Sequence, residues 1–410
     1  MSNILILGSG SRESVLVWKL KKSKNLTNIY VSPGNGGTNE HNVSLKFEDI
    51  PDFVNENNID YVIPGSETYL VKGITDILEK NTHTCVVGPN FDSARLETSK
   101  SFAKSFMKEN NIPTAVYETF NDIDTAKRHV ENEIPPFVIK ANGLAGGKGV
   151  TIANTKKEAY RAIENINRKF GRESFPIIIE KFLKGIEVSM FALCDGKNYV
   201  LLPEAKDYKQ LKEKNRGPNT GGMGAISPAP IVDDEFIKKV EEEILKPTLN
   251  NIHFKGFLFL GLMNIKGNPY VIEYNARLGD PEATVIIPRI QNDLLDILEN
   301  FKEQKLSDIK LEFSSKCASS VILASDGYPD SYNSGFDITY DLTEIMPSLI
   351  FHAGTKMESQ KLITNGGRVL CVTTLNDTIK NVVNETYISV DKISYKGKIY
   401  RKDIGFEFIT

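Results

Sequence analysis

The sequence predicts a protein of the α/β and α+β classes, with three domains in its 410 residues. Three observations predict this. The first hundred residues alternate short apolar strands with helices, the middle of the chain contains a glycine-rich hairpin that carries lysines, and the chain beyond about Cys317 is a glycine-rich succession of strands. We expect domains at residues 1–98, 99–315 and 316–410: a doubly wound parallel sheet, a mixed central domain and a small β-rich domain.

The overall composition is ordinary for a folded protein and excludes several classes of function. A hydrophobic content of 40%, a charged content of 25% and a net charge of -3 give no indication of binding to nucleic acid or to an anionic membrane. No signal-peptide pattern opens the chain, and no apolar run is long enough to cross a bilayer. The four cysteines are far apart in sequence, which indicates reduced thiols and a cytoplasmic protein; they are Cys85, Cys194, Cys317 and Cys371.

Four parallel strands are expected in the first domain, each followed by a loop suited to an anion. They are predicted at Asn3–Leu7, Ile29–Ser32, Tyr61–Pro64 and Thr84–Val87. Such sheets bind ligands at the carboxyl ends of their strands, and glycine and helix N-termini favour phosphate there. The alternative is a dinucleotide-binding dehydrogenase, but Glu13 stands where its third glycine is expected, and Ser32-Pro33 replaces the acidic residue after the second strand. We expect a sugar phosphate instead, bound by Gly10, Arg12, Glu13, Asn35, Gly36, Gly37, Thr38, Ser66 and Glu67.

The central domain contains a hairpin suited to a nucleotide. A strand over 137–140 ends in Lys140, and the glycine-rich loop that follows carries Lys148 before a strand resumes at 151–153. The loop lacks the P-loop pattern, but it could fold over a nucleotide so that both lysines meet phosphate. The alternative is a flexible hairpin with solvated lysines.

A polar strand follows later in the same domain. Because alternate side chains of a strand share a face, Glu273, Asn275 and Arg277 are predicted to point the same way. A carboxylate beside an amide oxygen suits magnesium, and a guanidinium can hold a carboxylate or phosphate through two bonds. The alternative for such a triplet is an exposed polar strand face.

Together these segments resemble the ATP-grasp superfamily. The order is two lysines, a Glu-Lys-Phe-Leu linker over 180–183, Glu187 and then Glu273-x-Asn275. Further strings resemble the phosphoribosylamine–glycine ligase (glycinamide ribonucleotide synthetase) family across nearly the whole chain; they span 207–209, 217–225, 275–282, 351–355, 364–369 and 400–405. The resemblance implies a central ATP-grasp domain with a mobile lid subdomain at roughly 115–185.

The family's activity is what the resemblance implies for this chain. It ligates glycine to 5-phosphoribosylamine through glycyl phosphate, giving glycinamide ribonucleotide, ADP and phosphate, the second step of purine biosynthesis. The implied metal ligands for Mg²⁺ or Mn²⁺ are Glu273 and Asn275, and the implied catalytic residues are Arg277, Asp207 and Lys148. ATP would be bound by Lys100, Lys140, Lys148, Glu180, Phe182, Leu183 and Glu187. Further substrate contacts are implied for Asp207, Asn219, Thr220, Gly221, Arg277, Gly279 and Asp280.

Some positions depart from the family pattern, and two other functions stay open. Ser14 stands where the family usually has histidine, and Asn142 where it has aspartate. One alternative is another ATP-grasp enzyme, such as a carboxylase, and the other is a nucleotide-binding regulatory protein without catalysis. The 217–225 string argues against the first, and the retained lysines and metal pair argue against the second. We expect small-molecule partners only, and a monomer or weak homo-oligomer.

Overall fold

The N-terminal sheet has the predicted parallel, doubly wound form in the computed structural model, which describes residues 1–143, 149–171 and 175–409. Its strands are in the order β2-β1-β3-β4, and all pairs are parallel. Side chains of β1 alternate between two cores: Ile4 and Ile6 pack into one, and Leu5 and Leu7 into the other. The elements are β1 Ser2–Gly8, α1 Ser11–Leu20, β2 Leu26–Pro33, α2 Ile50–Glu56, β3 Tyr61–Pro64, α3 Glu67–Leu70, α4 Ile74–Asn81, β4 Cys85–Val86 and α5 Phe91–Thr98.

A second sheet has a hydrophobic core of its own. After α6, four antiparallel strands lie in the order β5-β8-β6-β7 and enclose residues such as Ile139, Ile163 and Ile179 with two helices. The loop that carries Lys148 joins β6 to β7, and residues 144–148 lie outside the described residues. The elements are α6 Lys100–Glu109, β5 Tyr117–Phe120, α7 Ile123–Asn132, β6 Phe137–Lys140, β7 Val150–Ala153, α8 Lys156–Phe170 and β8 Ile177–Lys181.

The third sheet joins the central and C-terminal parts of the chain. Its strands lie in the order β15-β14-β9-β10-β13-β16-β20-β17, and β13 pairs with β16 across the predicted boundary at residue 316. The elements of the central part are β9 Ile186–Asp195, β10 Tyr199–Asp207, β11 Gln210–Lys212, β12 Arg216–Asn219, β13 Gly224–Ser227, α9 Asp234–Val240, α10 Lys246–Asn251, β14 Lys255–Ile265, β15 Asn268–Asn275, α11 Ala283–Ile286 and α12 Leu294–Lys302. Of these, β11 and β12 form a separate two-stranded sheet. The later elements are β16 Cys317–Ser325, α13 Leu342–Ile345, β17 Leu349–His352, β18 Thr355–Glu358, β19 Lys361–Thr364, β20 Arg368–Asn376, α14 Ile379–Asp391 and β21 Lys398–Ile399.

One segment of the C-terminal part, where the sequence predicts a succession of strands, forms no strand among the described residues. The segment 335–339 makes isolated bridges to two different neighbours, Asp337 to Ile363 and Thr339 to Ser394. The hairpin of β18 and β19 stands beside it and was not predicted. No helix in the described part of the chain is long and apolar enough to span a membrane.

Candidate active site

A cavity of about 690 Å³ lies where the three sheets meet, a size typical of small-molecule sites. Loops of the N-terminal sheet form one end of its wall, and the second sheet and its linker form the other. The wall includes the predicted residues Gly10, Arg12, Glu13, Ser66, Glu67, Lys100, Lys140, Glu180, Phe182, Leu183, Glu187, Asp207, Asn219, Thr220, Gly221, Glu273, Asn275, Arg277, Gly279 and Asp280. The fold therefore brings together segments that are up to 270 residues apart in sequence, from Gly10 to Asp280.

The end of β15 presents the predicted polar face to this cavity. Glu273 and Asn275 line it, and the side chain of Tyr274 between them is 2% exposed and bonds to Thr248 in the core. Burial would raise the pKa of Glu273, but Lys209, Lys140 and Lys100 outweigh it and lower the pKa to about 2.

The same two residues fit a magnesium ion by the chemistry of their donors. Glu273 is ionised at neutral pH, and the buried amide Nδ2 of Asn275 has no hydrogen-bond partner among the described residues. Since the amide oxygen and nitrogen exchange places by rotation of the side chain, Asn275 can turn an oxygen toward the cavity. A hard cation takes such oxygens, with phosphate and water completing its shell.

Lysines at the end of the cavity formed by the second sheet lie beside one buried carboxylate. Glu180 Oε1 lies 2.8 Å from Lys140 Nζ and 3.1 Å from Lys104 Nζ. Lys140 also donates to the carbonyl of Ile272 at 3.1 Å, next to Glu273 on β15. Lys100 donates to the carbonyl of Gly143 at 2.7 Å, and burial lowers its pKa. Glu180, which the resemblance assigns to ATP, therefore positions Lys140 in this structure.

Arg277 lies between two acids of the N-terminal part of the chain. Its Nε is 2.9 Å from Glu67 Oε2, and an Nη is 2.9 Å from Glu97 Oε1. The remaining Nη donates to the carbonyl of Leu278 at 3.1 Å. Burial would lower the pKa of Arg277, but Glu97 and Glu67 outweigh it and raise the pKa. A substrate carboxylate that Arg277 clamps must therefore compete with Glu67 or Glu97.

Asp280 connects the three parts of the chain at the far end of the cavity. Its carboxylate accepts from Ser11 Oγ at 2.7 Å and from the backbone N–H of Arg12 at 3.2 Å, at the N-terminus of α1. It also lies 3.3 Å from the guanidinium of Arg368. Arg12 donates to Glu13 at 2.9 Å and to the carbonyl of Leu278 at 2.8 Å.

Four residues predicted to bind the sugar phosphate do not line this cavity. They are Asn35, Gly36, Gly37 and Thr38. Asn35 is 4% exposed and donates to the carbonyls of Ser9 and His352 at 3.0 and 2.9 Å. The N–H of Gly36 donates to Thr355 at 3.1 Å, and that of Gly37 to Asn35 Oδ1 at 2.9 Å. This loop therefore docks on the C-terminal part of the chain.

Comparison with known proteins shows the family. Models of phosphoribosylglycinamide synthetase match residues 2–97 as its N domain, 98–283 as its ATP-grasp (A) domain and 318–407 as its C domain. The phosphoribosylamine–glycine ligase of Chlorobaculum tepidum is 43% identical over 98% of this chain and 99% of its own length. The chain belongs to the phosphoribosylglycinamide synthetase family.

Two further members place the chain within this synthetase family. A bifunctional purine biosynthetic protein of Pichia angusta is 42% identical over 98% of this chain, which spans 53% of that protein. The crystal structure of a phosphoribosylamine–glycine ligase from Thermotoga maritima superimposes with a TM-score of 0.86, at 34% identity, and covers 98% of this chain and 100% of its own. The fold and the ATP-grasp domain expected from the sequence are thereby confirmed.

Ser14, a departure from the synthetase pattern, is 7% exposed and donates to the carbonyl of His352 at 2.7 Å. It helps to dock α1 on β17 and lies outside the cavity wall.

Several cavity residues were not named from the sequence. The strings quoted for the resemblance already contained Lys209, Glu282 and Arg368, and alternation would have placed Lys209 on the face of Asp207. Glu97, Lys104 and Tyr328 carried no sequence signal, since only the fold brings them to the cavity; the missed residues include Glu97, Lys104, Lys209, Glu282, Tyr328 and Arg368.

Proposed function

We propose that this protein ligates glycine to 5-phosphoribosylamine at the expense of ATP, giving glycinamide ribonucleotide, ADP and phosphate. One observation carries the proposal beyond family membership. A single cavity has a lysine-rich end beside Glu273 and Asn275, and an acid-rich end at the carboxyl edge of a parallel sheet. The first suits a triphosphate and the second suits amino groups and ribose hydroxyls, which are the groups that this ligation must bring together.

ATP is assigned to the end formed by the second sheet. The backbone of the linker at Phe182 and Leu183 can pair with the adenine edge, and Glu187 can accept from ribose hydroxyls. Lys100 and Lys140 offset the charge of the phosphates. Lys148 lies outside the described residues, and its contact with phosphate stays a prediction, as does closure of the lid.

Glu273 and Asn275 would hold Mg²⁺. The ion, when bound, supplies positive charge to the phosphate oxygens. Arg277 aligns the glycine carboxylate for attack on the γ-phosphate, which gives glycyl phosphate and ADP. The amine of phosphoribosylamine then attacks the acyl carbon and phosphate leaves. An unprotonated amine is already a nucleophile, so this reaction requires positioning and the exclusion of water more than an activated protein side chain.

Phosphoribosylamine is assigned to the loops after β1 and β3. Gly10, Arg12, Glu13, Ser66 and Glu67 line this end of the cavity. Cytoplasmic location and a monomeric or weakly associated state stay predictions, which fractionation and sedimentation would test.

The test is a reconstituted assay in which phosphoribosylamine is generated in situ. With Mg-ATP and glycine, we expect ADP, phosphate and glycinamide ribonucleotide in equal amounts, identified by mass spectrometry. Omitting glycine should stop ADP formation. Lys140→Met should lose most of the activity, whereas Lys127→Met, on α7 and outside the cavity wall, should keep it. Product that requires bicarbonate instead of glycine would show a carboxylase and overturn the proposal.

A further inference from the structure

Two buried carboxylates of the cavity wall lie close enough for the charge of one to act on the other. Asp207 ends β10, and Glu282 precedes α11; both line the cavity, and they are 8% and 3% exposed. Ionised side chains so deeply buried normally have a cationic partner, because their loss of hydration is otherwise uncompensated. The cations that surround this pair are therefore informative.

The nearest cations are engaged elsewhere. Lys209 Nζ lies 2.5 Å from Glu187 Oε1 and 3.5 Å from Glu273 Oε1. Arg368 is paired with Asp280 at 3.3 Å and donates to the carbonyl of Gly221 at 2.6 Å. Among the described residues, neither cation forms an ion pair with Asp207 or Glu282.

One oxygen of the pair has no partner at all in the part of the chain that the structure describes. Asp207 Oδ1 is buried and accepts no hydrogen bond there. Glu282 Oε1 accepts only a long bond, 3.3 Å, from Ser189 Oγ. Burial, followed by the charge of Glu282, raises the pKa of Asp207 well above its usual value, and burial also raises the pKa of Glu282. A cation bound between the two carboxylates would remove this cost of ionisation.

Two glycines lie beside this pair of carboxylates, and a side chain at either position would collide with one of them. Gly222 has φ +112°, and a Cβ there would come within 2.8 Å of Asp207 Oδ1. A Cβ on Gly279 would overlap the carboxylate of Glu282. Side chains at these positions would thus displace the carboxylates, and the backbone stays close to both of them.

We propose that Asp207 and Glu282 together form the subsite for the α-ammonium group of the amino acid substrate. The inference rests on the proposed function and specifies how glycine is recognised. Lys209, two residues after Asp207, reaches Glu273, so the subsite adjoins the strand at which phosphate is transferred. An ammonium group bound at the pair leaves the glycine carboxylate free to reach that strand.

The experiment separates glycine activation from the second half of the reaction. Hydroxylamine replaces phosphoribosylamine and traps glycyl phosphate as glycyl hydroxamate. Asp207→Asn and Glu282→Gln should each raise the KM for glycine by roughly 10- to 100-fold, the value of a buried charge-assisted hydrogen bond, and leave the KM for ATP nearly unchanged. Glycolate, which has the carboxylate but no ammonium group, provides the second readout: the preference of the wild-type protein for glycine over glycolate should fall at least about tenfold in either variant.

Glu407→Gln is the matched control. Glu407 bonds to Tyr208 at 2.8 Å and lies 3.5 Å from Lys206, beside Asp207, but it does not line the cavity. Its KM for glycine should stay at the wild-type value. Melting temperatures show whether each variant is folded. The proposal requires a raised KM for glycine in both Asp207→Asn and Glu282→Gln, so a single folded variant is enough to test it.

Two results would overturn the subsite. One is an unchanged KM for glycine in a folded variant. The other is normal hydroxamate formation with loss confined to phosphoribosylamine, which would assign the pair to the amine of the second substrate. Absence of glycyl hydroxamate with the wild-type protein would instead contradict the proposed function itself.

Discussion

Glu180 shows how a residue's role depends on contacts that the sequence does not reveal. The linker 180–183 and its order before Glu187 could be read from the sequence, and the resemblance assigns Glu180 to ATP. The structure adds that its carboxylate lies between Lys140 and Lys104, which come from other elements. All three side chains are at most 4% exposed. Burial lowers the pKa of Lys104 to about 8 even though Glu180 raises it, so Lys104 depends on Glu180 to remain charged at neutral pH.

Glu180→Gln should therefore destabilise the fold. It leaves two buried ammonium groups without a counter-charge, and we expect a loss of about 3 kcal/mol in the free energy of unfolding, measured by urea denaturation. Glu164→Gln is the control, because Glu164 pairs with Lys127 at 2.6 Å on the surface and such pairs contribute less than about 1 kcal/mol. Equal stability of the two variants would show that Glu180 is not the structural counter-ion.

Glu273→Ala tests whether Glu273, on β15, is a metal ligand. We expect ADP formation to fall by more than about a hundredfold, because the variant lacks the carboxylate of the metal pair. The fold should persist, since Glu273 faces the cavity and not the core. Asn268→Ala, at the opposite end of β15 and away from the cavity, should remain active. Near-normal turnover of Glu273→Ala in a coupled ADP assay would contradict the assignment of Glu273 as a metal ligand.

At the scale of elements, periodicity predicted more than loop composition did. Alternation along β15 placed Glu273 and Asn275 on the cavity face and Tyr274 in the core, as the structure shows. Loop composition, in contrast, could not distinguish a loop that binds phosphate from a loop that packs against another part of the chain. At Gly36, a Cβ would come within 2.5 Å of Leu362 and 2.9 Å of Thr355, which are more than 300 residues away in sequence. This glycine lets the loop after β2 pack against the C-terminal hairpin of β18 and β19.

His352 makes that contact sensitive to pH. Its side chain is 8% exposed and bonds to Thr355 at 3.0 Å and to Tyr340 at 3.2 Å, and burial lowers its pKa to about 4. The unfolded chain, with an ordinary histidine pKa of about 6.5, binds the proton more readily. The contribution to stability is therefore complete above about pH 6.5 and is lost as the pH falls toward 4.

The prediction is that the stability difference between the wild-type protein and His352→Gln shrinks by about 2 kcal/mol between pH 7 and pH 5. Urea denaturation at both pH values measures it. His83→Gln, at an exposed position, should show no comparable change. A difference that is the same at pH 7 and pH 5 would contradict a neutral, buried His352.

For the whole molecule, the sequence predicted the individual domains better than the contacts that join them. Local patterns and the resemblance were enough for the parallel sheet and the ATP-grasp domain. The pairing of β13 with β16, which makes one sheet of central and C-terminal strands, has no periodic signal because any two strands can pair at their edges. The contacts of Arg368 likewise have no periodic signal in the sequence; its guanidinium donates to the carbonyls of Gly221 and Asp280. Residues that connect parts of the fold were therefore the ones that sequence reasoning missed.

The central claim is that one cavity activates the glycine carboxylate as an acyl phosphate and passes it to an amine. Glycine labelled with ¹⁸O in both carboxylate oxygens tests this most directly, with Mg-ATP and phosphoribosylamine and with the released phosphate analysed by mass spectrometry. The account predicts one ¹⁸O atom in each phosphate, because the carboxylate oxygen that attacks the γ-phosphate leaves with it. Phosphate without label, formed together with glycinamide ribonucleotide, would contradict it.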